Sequence, residues 1–225
     1  NEVCDLITEM GEYRKAQNPV ITGYEFAVFT LASYCVPQDQ LLPILRETVE
    51  ELKTRVPDEK NRFRVRLAVA GAEVDDLSFI KLIEDTGAYV AVDRFCFGSL
   101  PGRQRLDLND NEDVLTQICR KSVMDCQCPR YMNADRVESR KQYIHELAQA
   151  YHCDGILLHQ MNFCNFWGYE RAAANHVLSN TYGWPVLNVD RAYIVGSSGQ
   201  LRTRIQAFVE RIELKKLQSS KGEAR

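Results

Sequence analysis

The chain reads as an α/β protein: a four-stranded, all-parallel, Rossmann/flavodoxin-like sheet flanked by helices and preceded by a helical segment. Three observations predict it. Four short apolar runs, Val65–Ala70, Tyr89–Val92, Ile156–His159 and Val186–Val189, are bounded by turn residues and suit strands buried on both faces. Stretches of helical period separate them, the pattern of right-handed crossovers between parallel strands. Before the first run, about 56 residues carry helical periodicity alone.

The elements follow in order. Leu6, Ile7 and Met10 share a face of a first helix that stops before Asn18-Pro19. A second helix is expected from about Gly23 to Tyr34. A third starts after Pro37 and carries Leu41, Leu42, Leu45, Val49 and Leu52 at helical spacing. The polar connector 56–61 marks a domain boundary, giving a helical segment 1–57, an α/β domain 62–217 and a polar tail 218–225. Within the α/β domain, helices are expected over 75–85 (ended by Gly87), 112–121, 135–151, 169–181 (closed by Gly183) and 200–217.

Composition narrows the function. Of 225 residues, 45% are hydrophobic and 26% charged, and the net charge of −3 gives no reason to expect nucleic acid. No apolar run reaches the roughly 18 residues of a membrane helix, so no membrane contact is expected. The chain begins abruptly at Asn1 without a signal peptide and is read as a piece of a longer protein. Eight cysteines fit no zinc-finger spacing. In a chain of this type they indicate a reducing, cytoplasmic setting in which a minority of the thiols serve metal or redox chemistry.

In a parallel sheet every carboxyl end lies on one edge, and the loops there line a crevice. The first strand delivers Glu73 to it, the second Asp93 and Cys96, the third His159 and Cys164, the fourth Asp190-Arg191. Cys164 stands between a strand end and a helix start, where the helix dipole favours thiolate; the alternative is a small side chain filling a loop. Convergence of Cys96 and Cys164 from different strands favours a thiol site. His159 is a candidate proton donor or else a core histidine. The 196–199 turn opens the last helix, and Ser197, Ser198, Arg202 and Arg204 are candidates for binding phosphate or carboxylate, or else form a Ser cap with surface arginines. Cys126-Gln-Cys128-Pro129 is either a thiol pair for metal or redox chemistry or an idle loop. Trp167 and Tyr169 suit stacking on a ligand or packing of the loop. Glu73 and Asp93 suit acid–base work or capping. Cys4, Cys35, Cys119 and Cys153 read as core.

Several segments resemble the 2-hydroxyacyl-CoA dehydratase and benzoyl-CoA reductase family. They are Val69-Ala70-Gly71 with Leu82 to Ala88, Val92-Asp93-Arg94-Phe95-Cys96-Phe97-Gly98-Ser99, Arg140 to Tyr151, Asp154-Gly155 through Phe163-Cys164, and Gly199-Gln200-Leu201-Arg202-Thr203-Arg204-Ile205-Gln206-Ala207-Phe208-Val209-Glu210. The resemblance covers most of residues 60–212, and its Asp-Gly…Phe-Cys and Thr-Arg-Ile-Gln-Ala-Phe segments are the specific ones. It implies an oxygen-sensitive iron–sulfur enzyme in which this chain is the C-terminal part of a subunit. A [4Fe–4S] cluster would lie between domains on three cysteines, with Cys164 one ligand, Cys96 a further candidate, and the rest in an N-terminal domain; in this piece alone the cluster would be absent or incomplete and the chain inactive. The implied chemistry is radical dehydration of a CoA thioester by one electron from an ATP-dependent activator, beside a homologous second subunit. Ring reduction of the benzoyl-CoA kind, or a non-catalytic accessory or electron-carrier role, stays open. The chain departs from the family pattern where Asn165 replaces an Asp and Asn162 a Lys, which leaves the substrate open.

Overall fold

The computed structural model describes residues 1–58, 63–96, 98–99, 105–124, 127–130, 133–193 and 199–223. Strands β1 (Val65–Gly71), β2 (Ala88–Arg94), β3 (Gly155–Met161) and β4 (Val186–Arg191) form one sheet in the order β2-β1-β3-β4. Every pairing is parallel, as the apolar runs predict. The chain leaves β1 in one direction to make β2 and later returns to β1's other side to make β3, so the order switches between β1 and β3. Strands β1 and β2 are buried almost throughout, because helices cover both faces.

One face packs α4 (Ser78–Glu84) and α8 (Gly199–Glu223) on the sheet, through Phe79, Ile80, Ile83, Ile205, Phe208, Val209 and Ile212. The other packs α6 (Ala134–Ala150) and α7 (Asn165–Asn180) through Ile144, Ala148, Ala174 and Leu178. Those last four stand at i, i+4 spacing within their helices, and the stripe they form is what the sheet covers. The exposed α5 (Val114–Met124) lies in the β2–β3 crossover and buries Gln117.

Before the sheet come α1 (Glu2–Glu12), α2 (Gly23–Cys35) and α3 (Gln38–Thr54), closed around Ile7, Met10, Ile21, Phe26, Leu41, Leu45, Val49 and Leu52. A Thr22–Glu25 capping box starts α2. This segment is tied to α4 and β2 by polar groups. The Glu84 carboxylate accepts from the N–H groups of Gly23 (2.9 Å) and Tyr24 (3.1 Å) at the start of α2. Tyr89 donates to the Ile21 carbonyl at 2.8 Å. Arg14, fully buried, pairs with Asp93 at 3.3 Å. Asp93 therefore serves the join between segment and sheet, and Ser99 supplies it two further donors.

Two helix boundaries move by more than one turn from their sequence-derived positions. Helix α7 begins at Asn165, a turn before Tyr169, which makes Cys164 its N-cap residue. Helix α8 continues past Leu217 to Glu223.

Candidate functional site

The carboxyl edge of the sheet is assembled from three connections. After β3, Phe163 adopts φ +68, a left-handed conformation that a bulky side chain rarely takes, and its ring is 96% exposed. That turn puts Cys164, half-buried, at the N-cap of α7. The Cys164 carbonyl accepts from Gly168 N–H at 2.9 Å and from the Gln160 side-chain amide at 3.1 Å. A Cβ on Gly168 would lie 2.8 Å from Gln160 Nε2, so a residue with no side chain is what lets β3 clamp the first turn of α7. Phe166 and Tyr169, in that same turn, are exposed beside Phe163.

After β2 comes Cys96. Trp167 Nε1–H, from α7's first turn, donates to its sulfur at 3.4 Å. Burial pushes the Cys96 thiol up, against the smaller opposing effects of the Trp167 hydrogen bond and the Arg94 charge. Arg94, the last residue of β2, is itself buried, with its guanidinium 5.0 Å from the Trp167 ring centroid. Desolvation brings its pKa down to about 10, so it is still a cation at neutral pH. Behind Trp167, Arg140 of α6 and Glu170 of α7 form a buried pair at 2.8 Å. Arg140 also donates to the Cys128 carbonyl at 3.4 Å, and Arg130 Nε to the Cys128 sulfur at 3.1 Å. Cys126, Ser197 and Ser198 lie outside the described residues.

The other sequence candidates are dispersed. His159 is completely buried, with its ring 5.1 Å from that of Phe79 and 5.4 Å from that of Phe95. Arg191 donates to its Nδ1 at 3.4 Å. Burial, seconded by Arg191 and Arg171, holds its pKa well below the usual histidine range. This neutral ring sits at the β1–β3 switch, against Gly71, and does not face the crevice. Arg202 is exposed, and Arg204 donates to the Asn188 carbonyl of β4 at 2.7 Å, so the two arginines are not gathered with the thiols. Of the four cysteines expected in the core, Cys153 is buried. Cys35 and Cys119 are exposed, on helix faces that nothing described covers, and Cys4 is intermediate, which corrects that expectation. Among the described residues no three His, Cys, Asp or Glu side chains converge as a metal site. Two clefts, of about 620 and 580 Å³, share Asp154 and Lys216 at the amino edge of the sheet, away from these thiols.

Sequence reasoning singled out Cys164, Cys96 and Trp167 but passed over Arg94, Arg140, Glu170 and Gln160. A usable signal was present. Arg140 precedes Ile144 and Ala148 by i, i+4 steps, and Glu170 precedes Ala174 and Leu178 likewise. A charge on a buried stripe must find a partner.

Fold and rim together define a doubly wound α/β protein with a cysteine and aromatic residues at the carboxyl edge of its sheet. The chain belongs to the 2-hydroxyglutaryl-CoA dehydratase D-component family, whose profile matches residues 1–212. It is also similar to the Escherichia coli (strain K12) protein described as "Putative dehydratase subunit YjiM", with 21% identity over 150 residues. That alignment covers 65% of this chain and 37% of the relative, so the chain spans well under half the length of the curated protein it matches. No described helix is long and apolar enough to cross a membrane.

Proposed function

We propose that the chain is the C-terminal part of an iron–sulfur subunit of a 2-hydroxyacyl-CoA dehydratase-type enzyme. The observation that carries this reading is Cys164, placed as the N-cap of α7 at the carboxyl edge of a parallel sheet in a chain of that family. Cys164 is half-buried, stands at the positive end of a helix, and among the described residues makes no side-chain cap hydrogen bond that would occupy the sulfur. It suits one corner of a [4Fe–4S] cluster, whose other ligands would come from outside the described residues. Cys96 suits it less: its sulfur already accepts the Trp167 N–H, and burial favours the protonated thiol.

When bound, such a cluster supplies a low-potential electron to a CoA thioester. The residues of this chain do the rest. Cys164 would anchor, the Gln160 amide and Gly168 N–H would fix its backbone, and Phe163, Phe166 and Tyr169 would screen the rim from water. Neutral His159, enclosed by Phe79 and Phe95, would stiffen the sheet edge and move no proton. A homologous second subunit and an ATP-dependent activator are the partners this reading requires.

The test is anaerobic purification of the full-length subunit with iron and sulfide analysis. About four irons per chain are expected, with Cys164→Ala losing most of them and Cys153→Ala keeping them, because Cys153 is buried and its thiol is pushed up to about 12. Full iron content in Cys164→Ala would refute the assignment.

A further inference from the structure

The helix of the β2–β3 crossover is built inside out. The residue that α5 buries is polar: the Gln117 amide accepts from Asn109 N–H and donates to the Asn109 and Glu112 carbonyls, each at 2.7 Å. Those bonds tie α5 to its own lead-in and to nothing in the sheet. Its apolar side chains face solvent instead. Leu115 is 67% exposed, and Val114, Ile118 and Val123 are exposed with it. Among the described residues, none from α5 enters any of the three hydrophobic cores. Leu115, Ile118, Cys119 and Ser122 fall at i, i+3, i+4 and i+7, an outward seam of apolar and small side chains. An 11-residue helix is too short to persist in water on propensity alone and needs a packed face. An outward apolar seam of this kind marks a surface that something covers.

The charges beside the seam indicate what covers it. Asp110, Glu112 and Asp113 stand at its start, Arg120 and Lys121 near its end. The Glu112–Arg120 ion pair within the chain is itself largely exposed, so either partner can exchange it for a second copy. Two such helices laid antiparallel set each acidic start against the other's basic end and oppose their macrodipoles. Laid parallel, they bring like charges together. The seam is therefore complementary to its own copy turned about a two-fold axis, the isologous arrangement. We propose that α5 is a self-association surface. Two copies of the chain pair through antiparallel α5 helices, with Leu115 and Ile118 in the apolar contact and Cys119, near the middle of the seam, close to the axis. A helix of this length is about 16 Å long and 10 Å across, which covers far less than the roughly 800 Å² per partner of a standard interface. The pairing is accordingly concentration-dependent. None of these residues belongs to the thiol rim, so the pairing holds whether or not a cluster does.

Two measurements on the full-length subunit test this. In the first, sedimentation is followed across a concentration series. Wild type is expected to pass from monomer to dimer as concentration rises. Leu115→Asp is expected to weaken association at least about 10-fold, because each copy loses a buried Leu and gains an unpaired charge. Leu115 supports no core, so the variant is expected to keep the circular dichroism of the wild type. In the second, which leaves the seam intact, a short bismaleimide is expected to link two copies through Cys119. Cys119→Ser should abolish that link, and Cys35→Ser, exposed on α2, should keep it. A wild type that stays monomeric throughout, undiminished association in Leu115→Asp, or an undiminished link in Cys119→Ser would each overturn the proposal. So would a wild type that never pairs with itself but binds a homologous second subunit and loses it in Leu115→Asp, an outcome that would give the face to that subunit.

Discussion

Replacing Asp93 by Asn tests the join between the helical segment and the sheet. Arg14 is 0% exposed, and both of its terminal nitrogens reach Asp93 Oδ1 at 3.3 Å. Ser99 bonds Oδ2 through N–H at 2.8 Å and through its hydroxyl at 2.9 Å. Asn keeps the shape but strands the Arg14 charge, stacked on Phe26 at 3.5 Å, in a dry site. Breaking one side of a buried pair costs about 3–5 kcal/mol, a large part of the roughly 5–15 kcal/mol that holds a domain together. With a urea slope of about 2 kcal/mol/M, the midpoint should fall by about 1.5–2.5 M at unchanged slope. Removing the stranded charge as well, in Arg14→Met with Asp93→Asn, should recover part of the loss. The double variant should then lie about 1–3 kcal/mol above the sum of the single effects. Urea unfolding monitored by fluorescence measures all four proteins. Additivity within about 0.5 kcal/mol, or a loss below about 1 kcal/mol in Asp93→Asn, would show that Arg14 and Asp93 are not energetically coupled as their geometry requires.

Two further predictions concern the β1–β3 switch. Gly71→Ala would place a Cβ 2.2 Å from the His159 carbonyl oxygen and 2.4 Å from its ring; because the obstacle includes backbone of the paired strand, the variant should lose about 3 kcal/mol or more, and a loss under about 1 kcal/mol in urea would refute it. His159 should make the fold acid-sensitive: its folded-state pKa lies well below the ordinary value, so below about pH 6.5 the unfolded chain binds a proton that the folded chain refuses. Its stability contribution is therefore full above that pH and falls by about 1.4 kcal/mol per unit below it; His159→Leu should flatten this slope between about pH 6.5 and 5.5, and an unchanged slope would show that another group titrates there.

The sheet was legible because its signal is redundant. Four apolar runs each lie between turn residues, and the burial of β1, β2 and most of β3 on both faces leaves little freedom in how they pair. Helix ends were less legible. The start of α7 contains Gly168, which in sequence weakens the helix and belongs to a loop. In the structure the glycine is required, because the Gln160 amide occupies the space of its side chain while bonding the Cys164 carbonyl. The cause is tertiary, and no local pattern announces it. Cys164 could be found from its place between strand and helix, a matter of chain order. His159 stayed open between two readings for the complementary reason: the same position at a strand end can face the crevice or, as here, turn between two phenylalanines, and alternation in sequence does not say which face is covered.

The charged residues of the rim separate by whether they find partners. Arg140 and Glu170 interrupt the apolar stripes of adjacent helices, and their 2.8 Å contact joins α6 to α7 in the interior. Each therefore accounts for the other, and together they cost the fold little beyond their own desolvation. Arg14 and Asp93 resolve in the same way between segment and sheet. Arg94 has the same burial but no such answer: no carboxylate in the described residues takes its side-on edge. The other buried arginines find partners within the fold: Arg14 and Arg140 their acids, and Arg191 the carbonyls of Ala192, Tyr193 and Glu73. What distinguishes Arg94 is thus the absence of an internal solution at the place where the loops after β2 and β3 meet, and an uncompensated cation held there is suited to a partner arriving from outside the fold.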